Sequence, residues 1–168
     1  MAADRTKKSN ADQVTVAGRE IVITRVFDAP REMVWDAWTD ARQIVKWWGP
    51  RGFTLTVEEM DVRPGGVWRS TMHGPDGTKY LNDCVFTEVV KPRRIVYELT
   101  AGRKHDGGLQ EPMKVIWAFA AEGEATKVTL RMLFRTPEAL ERFAREYRAV
   151  AGGNETLDRL EEHLSHAD

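Results

Sequence analysis

Acid–base or metal chemistry requires histidines, carboxylates or thiols held against one another. The chain offers His73, His105, His163 and His166, and they are scattered. His73 abuts a turn signal and His105 sits in a polar loop. His163 and His166 stand three apart near the end of a helical pattern, where the helix dipole favours a cation. No third or fourth ligand accompanies them, so no metal site is expected. Glu59 and Asp61 alternate along a strand-like run and share a face, with Arg63 close by. That arrangement reads as a surface ion pair. Glu88 alternates with Cys84 and Phe86 in "CVFTE". If that face points inward, its carboxylate requires an arginine or a bound ligand. Cys84 reads as a small core residue. The glycines of "RPGG" and "GPDG" mark turns, because neither precedes a helix as a phosphate cradle would. No catalytic residue, metal ligand or cofactor follows from these groups.

The denser signal is apolar. Six tryptophans occupy 168 residues, four of them at Trp35, Trp38, Trp47 and Trp48. "KWWGP" sets two indoles side by side at the end of a short helix. Adjacent helical residues point about 100° apart, so one ring packs inward and Trp48 rims a groove. Trp68, Ser70 and Met72 alternate on one later strand, and Tyr97, Met113 and Trp117 take the same phase on others. Asn154 falls on the inner stripe of the last helix beside two glycines. The candidate ligand-binding set is therefore Trp48, Trp68, Ser70, Met72, Phe86, Glu88, Tyr97, Met113, Trp117 and Asn154. The rings and methionines supply apolar walls. Ser70 and Asn154 orient polar atoms of a ligand.

The elements that position these residues follow from periodicity. Residues 1–18 read as a polar, mobile tail, and residues 19–168 as a single domain. "EIVITRVF" is a strand by β-propensity. Pro30 opens a short helix that buries Val34, Ala37, Trp38 and Ala41. Asp40, with Gln43 three residues on, marks the start of a second helix, which stops at Gly49-Pro50. From Phe53 the period becomes two, with turns at "RPGG", "GPDG", "KP" and "EGEAT". Short connections imply antiparallel neighbours. Thr136 and Pro137 then open a helical tail with an apolar stripe through Leu140, Phe143, Val150, Leu157, Leu160 and Leu164. Glu155 and Arg159 stand at ion-pair spacing on its outer face. "GGN" at 152–154 predicts a break or kink that preserves the stripe's phase.

Composition bounds the function. The net charge of −1 and pI of about 6.4 supply no basic footprint for nucleic acid. No apolar run reaches a membrane span, and the N-terminus lacks an apolar signal core. A lone cysteine fits a reducing, cytoplasmic compartment.

An antiparallel sheet with one long amphipathic helix as cover must curl around it, leaving space for a pocket. The order of elements and the segments "FDAPREMVWDAWTD", "KWWGPRGF", "DVRPGGVWRSTMHGPDG", "VFTEVVKPRRIVYE" and "TLDRLEEHL" resemble the START-like, or SRPBCC, superfamily. Within it they are similar to the family named after the C-terminal domain of the activator of the heat-shock-protein-ninety ATPase. The resemblance implies an α+β helix-grip fold. A curved antiparallel sheet of about six to seven strands would wrap a long C-terminal helix, with two short helices after the first strand. It also implies a cavity between sheet and helix, entered near Gly49-Pro50 or the 101–112 loop. The leading functional expectation is non-catalytic binding of a small hydrophobic molecule. The alternatives are a co-chaperone-like or homodimerising module with an exposed tryptophan patch, and a polyketide-cyclase-like enzyme using Glu88, His73 or Tyr97.

Overall fold

In the computed structural model, residues 13–100 and 112–166 are described. The fold is α+β. Strands β1 (Gln13–Ala17) and β2 (Glu20–Phe27) precede helices α1 (Arg31–Thr39) and α2 (Ala41–Ile44). Six strands follow: β3 (Thr54–Met60), β4 (Val67–His73), β5 (Lys79–Val90), β6 (Arg94–Leu99), β7 (Met113–Glu122) and β8 (Ala125–Phe134). Helices α3 (Pro137–Tyr147) and α4 (Ala149–Ser165) close the chain. The described strands form one antiparallel sheet in the order β1-β2-β8-β7-β6-β5-β4-β3. It curves around the C-terminal helix, in the helix-grip arrangement.

The sheet has eight described strands because residues 13–17, read from sequence as tail, pair with β2. Gly18 takes a left-handed φ of +60°, which suits a two-residue hairpin turn between Ala17 and Glu20. Both faces of β1 are exposed, so burial left no strong mark on its sequence.

Alternation elsewhere is close to that expected. Ile21, Ile23, Arg25 and Phe27 of β2 point inward, as do Val128, Leu130, Met132 and Phe134 of β8. Arg25 is the exception in kind: its guanidinium is buried on the core face. It meets Asp158 at 2.8 Å and Glu161 at 3.2 Å, both on α4. A buried guanidinium requires such partners, and they fix where the helix crosses the sheet.

The caps at Asp40 and Thr136 form as expected, accepting from the backbone N–H of Arg42 and Ala139. Gln43 does not complete a capping box. Its side-chain oxygen instead lies 3.0 Å from Nε2 of His163 on α4. The helical tail breaks four residues earlier than the glycines suggest. Arg148 adopts a left-handed φ of 49°, and α4 then runs unbroken through Gly152, Gly153 and Asn154. Gly153 serves close approach: a Cβ there would lie 2.6 Å from Cδ1 of Ile23, so the helix backbone packs directly on that side chain.

Candidate functional site

The paired tryptophans divide their work. Trp47 is fully buried, and its indole N–H donates to the Ala37 carbonyl at 3.0 Å. Trp48 is partly buried and turns toward the space between sheet and α4, its ring 5.0 Å from Trp68 and 5.7 Å from Trp117. Gly49 ends the turn with φ +102°, and a Cβ there would press on the Met72 sulfur at 3.3 Å. Behind this corner Trp38 of α1 is a hub, with its ring within 6.2 Å of those of Trp48, Trp68, Phe86, Tyr97 and Trp117.

One guanidinium holds the "WWGP" turn against the last helix. Nη1 of Arg159 sits 2.9–3.2 Å from the carbonyl oxygens of Trp48, Gly49, Pro50 and Phe53. Nη2 reaches the Lys46 carbonyl at 3.3 Å. The expected Arg159–Glu155 pairing gives way to this cradle, and Glu155 instead accepts from the backbone N–H of Arg51 at 3.0 Å. Arg51 also pairs with Glu162. Sequence spacing pointed Arg159 at its own helix; nothing local marked the loop as its partner.

Sheet, turn and helix together enclose a cavity of about 200 Å³, partly open to solvent. Of the expected residues, Trp48, Trp68, Met72, Tyr97, Met113 and Trp117 stand on its wall. Ser70 and Phe86 are fully buried but lie off the wall, in the packing behind it. The Phe86 ring stacks on Trp68 at 6.2 Å. Asn154 is partly buried and off the wall; Gly152, Gly153 and Thr156 of the same helix form that side instead. Residues 101–111, most of the loop expected to admit a ligand, lie outside the described residues, as does His105.

Glu88 corrects the sequence reading. A bulge between Phe86 and Glu88 inserts an extra residue, so Phe86 pairs with Tyr97 while Glu88 pairs with Val96. Side-chain parity reverses, and Glu88 faces outward. There it forms an ion pair with Arg94 at 3.1 Å. His73 also lies off the cavity wall, with Nε2 2.9 Å from the Thr56 hydroxyl. Of the three acid–base candidates, only Tyr97 reaches the cavity.

The tryptophans are thus internal. Among the described residues, the exposed large apolar side chains are Val14 and Val16 on edge strand β1, which replaces the expected exposed tryptophan patch. Wall residues that sequence reasoning missed include Leu130 and Met132 on β8 and Tyr80 and Asn82 on β5. For β8 the signal was present, because both residues share the inward phase of Val128.

Two titratable groups on the wall stay neutral. Burial pushes the Tyr97 phenol well above its ordinary value; Cys84 adds to this, and the neighbouring Trp117 side chain opposes it. Burial, then the Asp83 carboxylate, pushes the Cys84 thiol up as well, far from a reactive thiolate. No described wall residue carries a formal charge. The arrangement can enclose a compact, uncharged and largely apolar body.

No described helix is long and apolar enough to cross a membrane. Comparison with known proteins places the fold. A solution structure of a protein from Arthrobacter aurescens superposes with a TM-score of 0.82 at 24% identity, over 92% of each chain. A Mycobacterium smegmatis protein gives 0.76 at 24% identity, over 93% of this chain and 99% of the other. A Rhodobacter sphaeroides protein gives 0.79 at 21% identity, over 94% and 100%. At these identities the likeness is one of fold. No curated protein sequence matches the chain. Residues 28–165, from just before α1 to the end of α4, match the family described as Activator of Hsp90 ATPase homolog 1-like protein, and the chain belongs to that family.

Proposed function

We propose that the protein binds a small hydrophobic molecule in the cavity between the sheet and α4. The observation that carries this reading is the cavity itself: about 200 Å³, walled mainly by aromatic and aliphatic side chains with a few polar atoms. Ligand sites share that character, and drug-sized ones run to about 300–1,000 Å³. The smaller volume here suits a compact ligand of one or two fused rings. Edge-to-face contacts among Trp38, Trp48 and Trp68 stiffen the wall, so little ordering is left to oppose binding.

A thermal-shift titration with tetralin, an uncharged bicyclic hydrocarbon, tests the reading. At a hundred times its dissociation constant a ligand adds about 2.7 kcal/mol to stability. Trp117→Ala costs about 3–5 kcal/mol in the free protein. It also removes most of the ligand-induced shift. An undiminished shift in that variant places binding elsewhere.

A further inference from the structure

We propose that Asn82 sets the cavity's specificity, and that the ligand is a compact ring compound carrying one hydroxyl, seated with its ring inward and the hydroxyl against the Asn82 carboxamide. This rests on the cavity-binding reading and narrows its ligand class.

The cavity wall is graded along its strands. On the inner face of β5, exposure falls from Tyr80 and Asn82, both partly exposed, to Cys84 at 1%. On β6 it falls from Leu99, partly exposed, to Tyr97 at 3%, and on β7 from Met113, partly exposed, to Val115 at 2%. Register aligns these gradients, because Leu99 pairs with both Cys84 and Met113, and Tyr97 pairs with Val115. One end of the wall is therefore reached by water, and the other is sealed and mainly apolar.

Asn82 stands at the wetter end with an unused acceptor. It alternates with Cys84 and pairs across the sheet with the fully buried Ser70, which places it on the inner face, and it is a wall residue. Its Nδ2 makes one long hydrogen bond, to the Tyr80 carbonyl at 3.4 Å. Among the described residues nothing donates to its Oδ1, and that atom is open to solvent. Thr156 of α4 differs, since its hydroxyl already donates to the Gly152 carbonyl at 2.9 Å. A hydrocarbon filling this end strips water from Oδ1 and returns no donor. A hydroxyl donates to Oδ1 and can accept from the second Nδ2 hydrogen, so it answers both halves of the carboxamide. The reversed pose carries the hydroxyl onto the apolar wall of Val115, Leu130 and Met132, where it goes unpaired.

The test compares isosteric probes on the full chain: 5,6,7,8-tetrahydro-2-naphthol and 6-methyltetralin, which exchanges the hydroxyl for a methyl group. Dissociation constants for both are measured in the parent and in Asn82→Leu. The parent's preference for the naphthol over the methyl probe should exceed the variant's by at least about fivefold, the worth of one net hydrogen bond. NMR on the parent needs no variant, so a misfolded Asn82→Leu leaves the test intact. There the naphthol should shift the Asn82 side-chain amide resonances, give NOEs from its hydroxyl-bearing ring to that amide, and give NOEs from its saturated ring to the Val115 methyls. An equal preference in parent and variant overturns the assignment to Asn82 while leaving cavity binding intact. So do NOEs that place the hydroxyl-bearing ring against Val115, and so does binding of tetralin alone. If neither probe nor tetralin binds, the cavity-binding reading falls and this inference falls with it.

Discussion

Val115→Phe puts the cavity on trial by sign. Val115 is 2% exposed on the inner face of β7 and stands on the cavity wall. Phenylalanine keeps the β-propensity of the site. The substitution adds roughly 50 Å³ of side chain, and at about 24 cal/mol per Å³ of cavity filled it recovers roughly 1 kcal/mol. Val128→Phe is the control. Val128 is fully buried on the inner face of β8, opposite Phe119 and off the cavity wall. Overpacking a filled core costs about 1–3 kcal/mol. The assay is equilibrium urea unfolding followed by circular dichroism, with linear extrapolation and a check that the slope is unchanged. The account expects the two variants to move in opposite directions, and Val115→Phe to weaken tetralin binding. If Val115→Phe destabilises as much as Val128→Phe, the space beside Val115 is not usable volume and the reasoning fails.

Other outcomes follow from the same contacts. Tyr97 and Cys84 are buried neutral, with pKa values raised above ordinary values of 10.0 and 9.0. The unfolded chain therefore loses these protons first as pH rises. Their contribution to stability is complete below about pH 9 and is lost above it, at up to about 1.4 kcal/mol per pH unit for each group. Urea midpoints between pH 8 and 11 measure this, and a profile for Tyr97→Phe as steep as the parent's would contradict it. Arg159→Ala frees the turn that carries Trp48. It should cost about 1–2 kcal/mol and speed amide exchange at Phe53 while leaving the β7–β8 ladder protected; unchanged exchange at Phe53 would show that the cradle does not hold the turn.

Much of the fold was legible because burial imposes a period. Trp68, Tyr97 and Trp117 reach one cavity wall from three strands, and alternation on each strand placed them on the correct face. Asp40 and Thr136 marked helix starts because their side-chain oxygens satisfy backbone donors. The failures have equally local causes. Alternation cannot announce a bulge, so the extra residue between Phe86 and Glu88 reversed the face of the carboxylate. Strand β1 is exposed on both sides and owes its existence to pairing with β2. A glycine pair reads as a helix breaker, but here Gly153 permits contact with Ile23, and the break falls at Arg148. Ser70 shares the inward phase of Trp68, yet a small side chain between larger ones does not reach the cavity. Arg159 and Arg25 act across more than a hundred residues of sequence, which no local pattern encodes.

The most direct measurement of the central claim is an isotope-filtered NOE experiment on the protein saturated with tetralin. Met72, Met113 and Met132 all stand on the cavity wall. The account predicts intermolecular NOEs from tetralin to their methyls. Saturable binding with NOEs confined to the exterior, for example to the exposed methyls of Val14 and Val16, would contradict it.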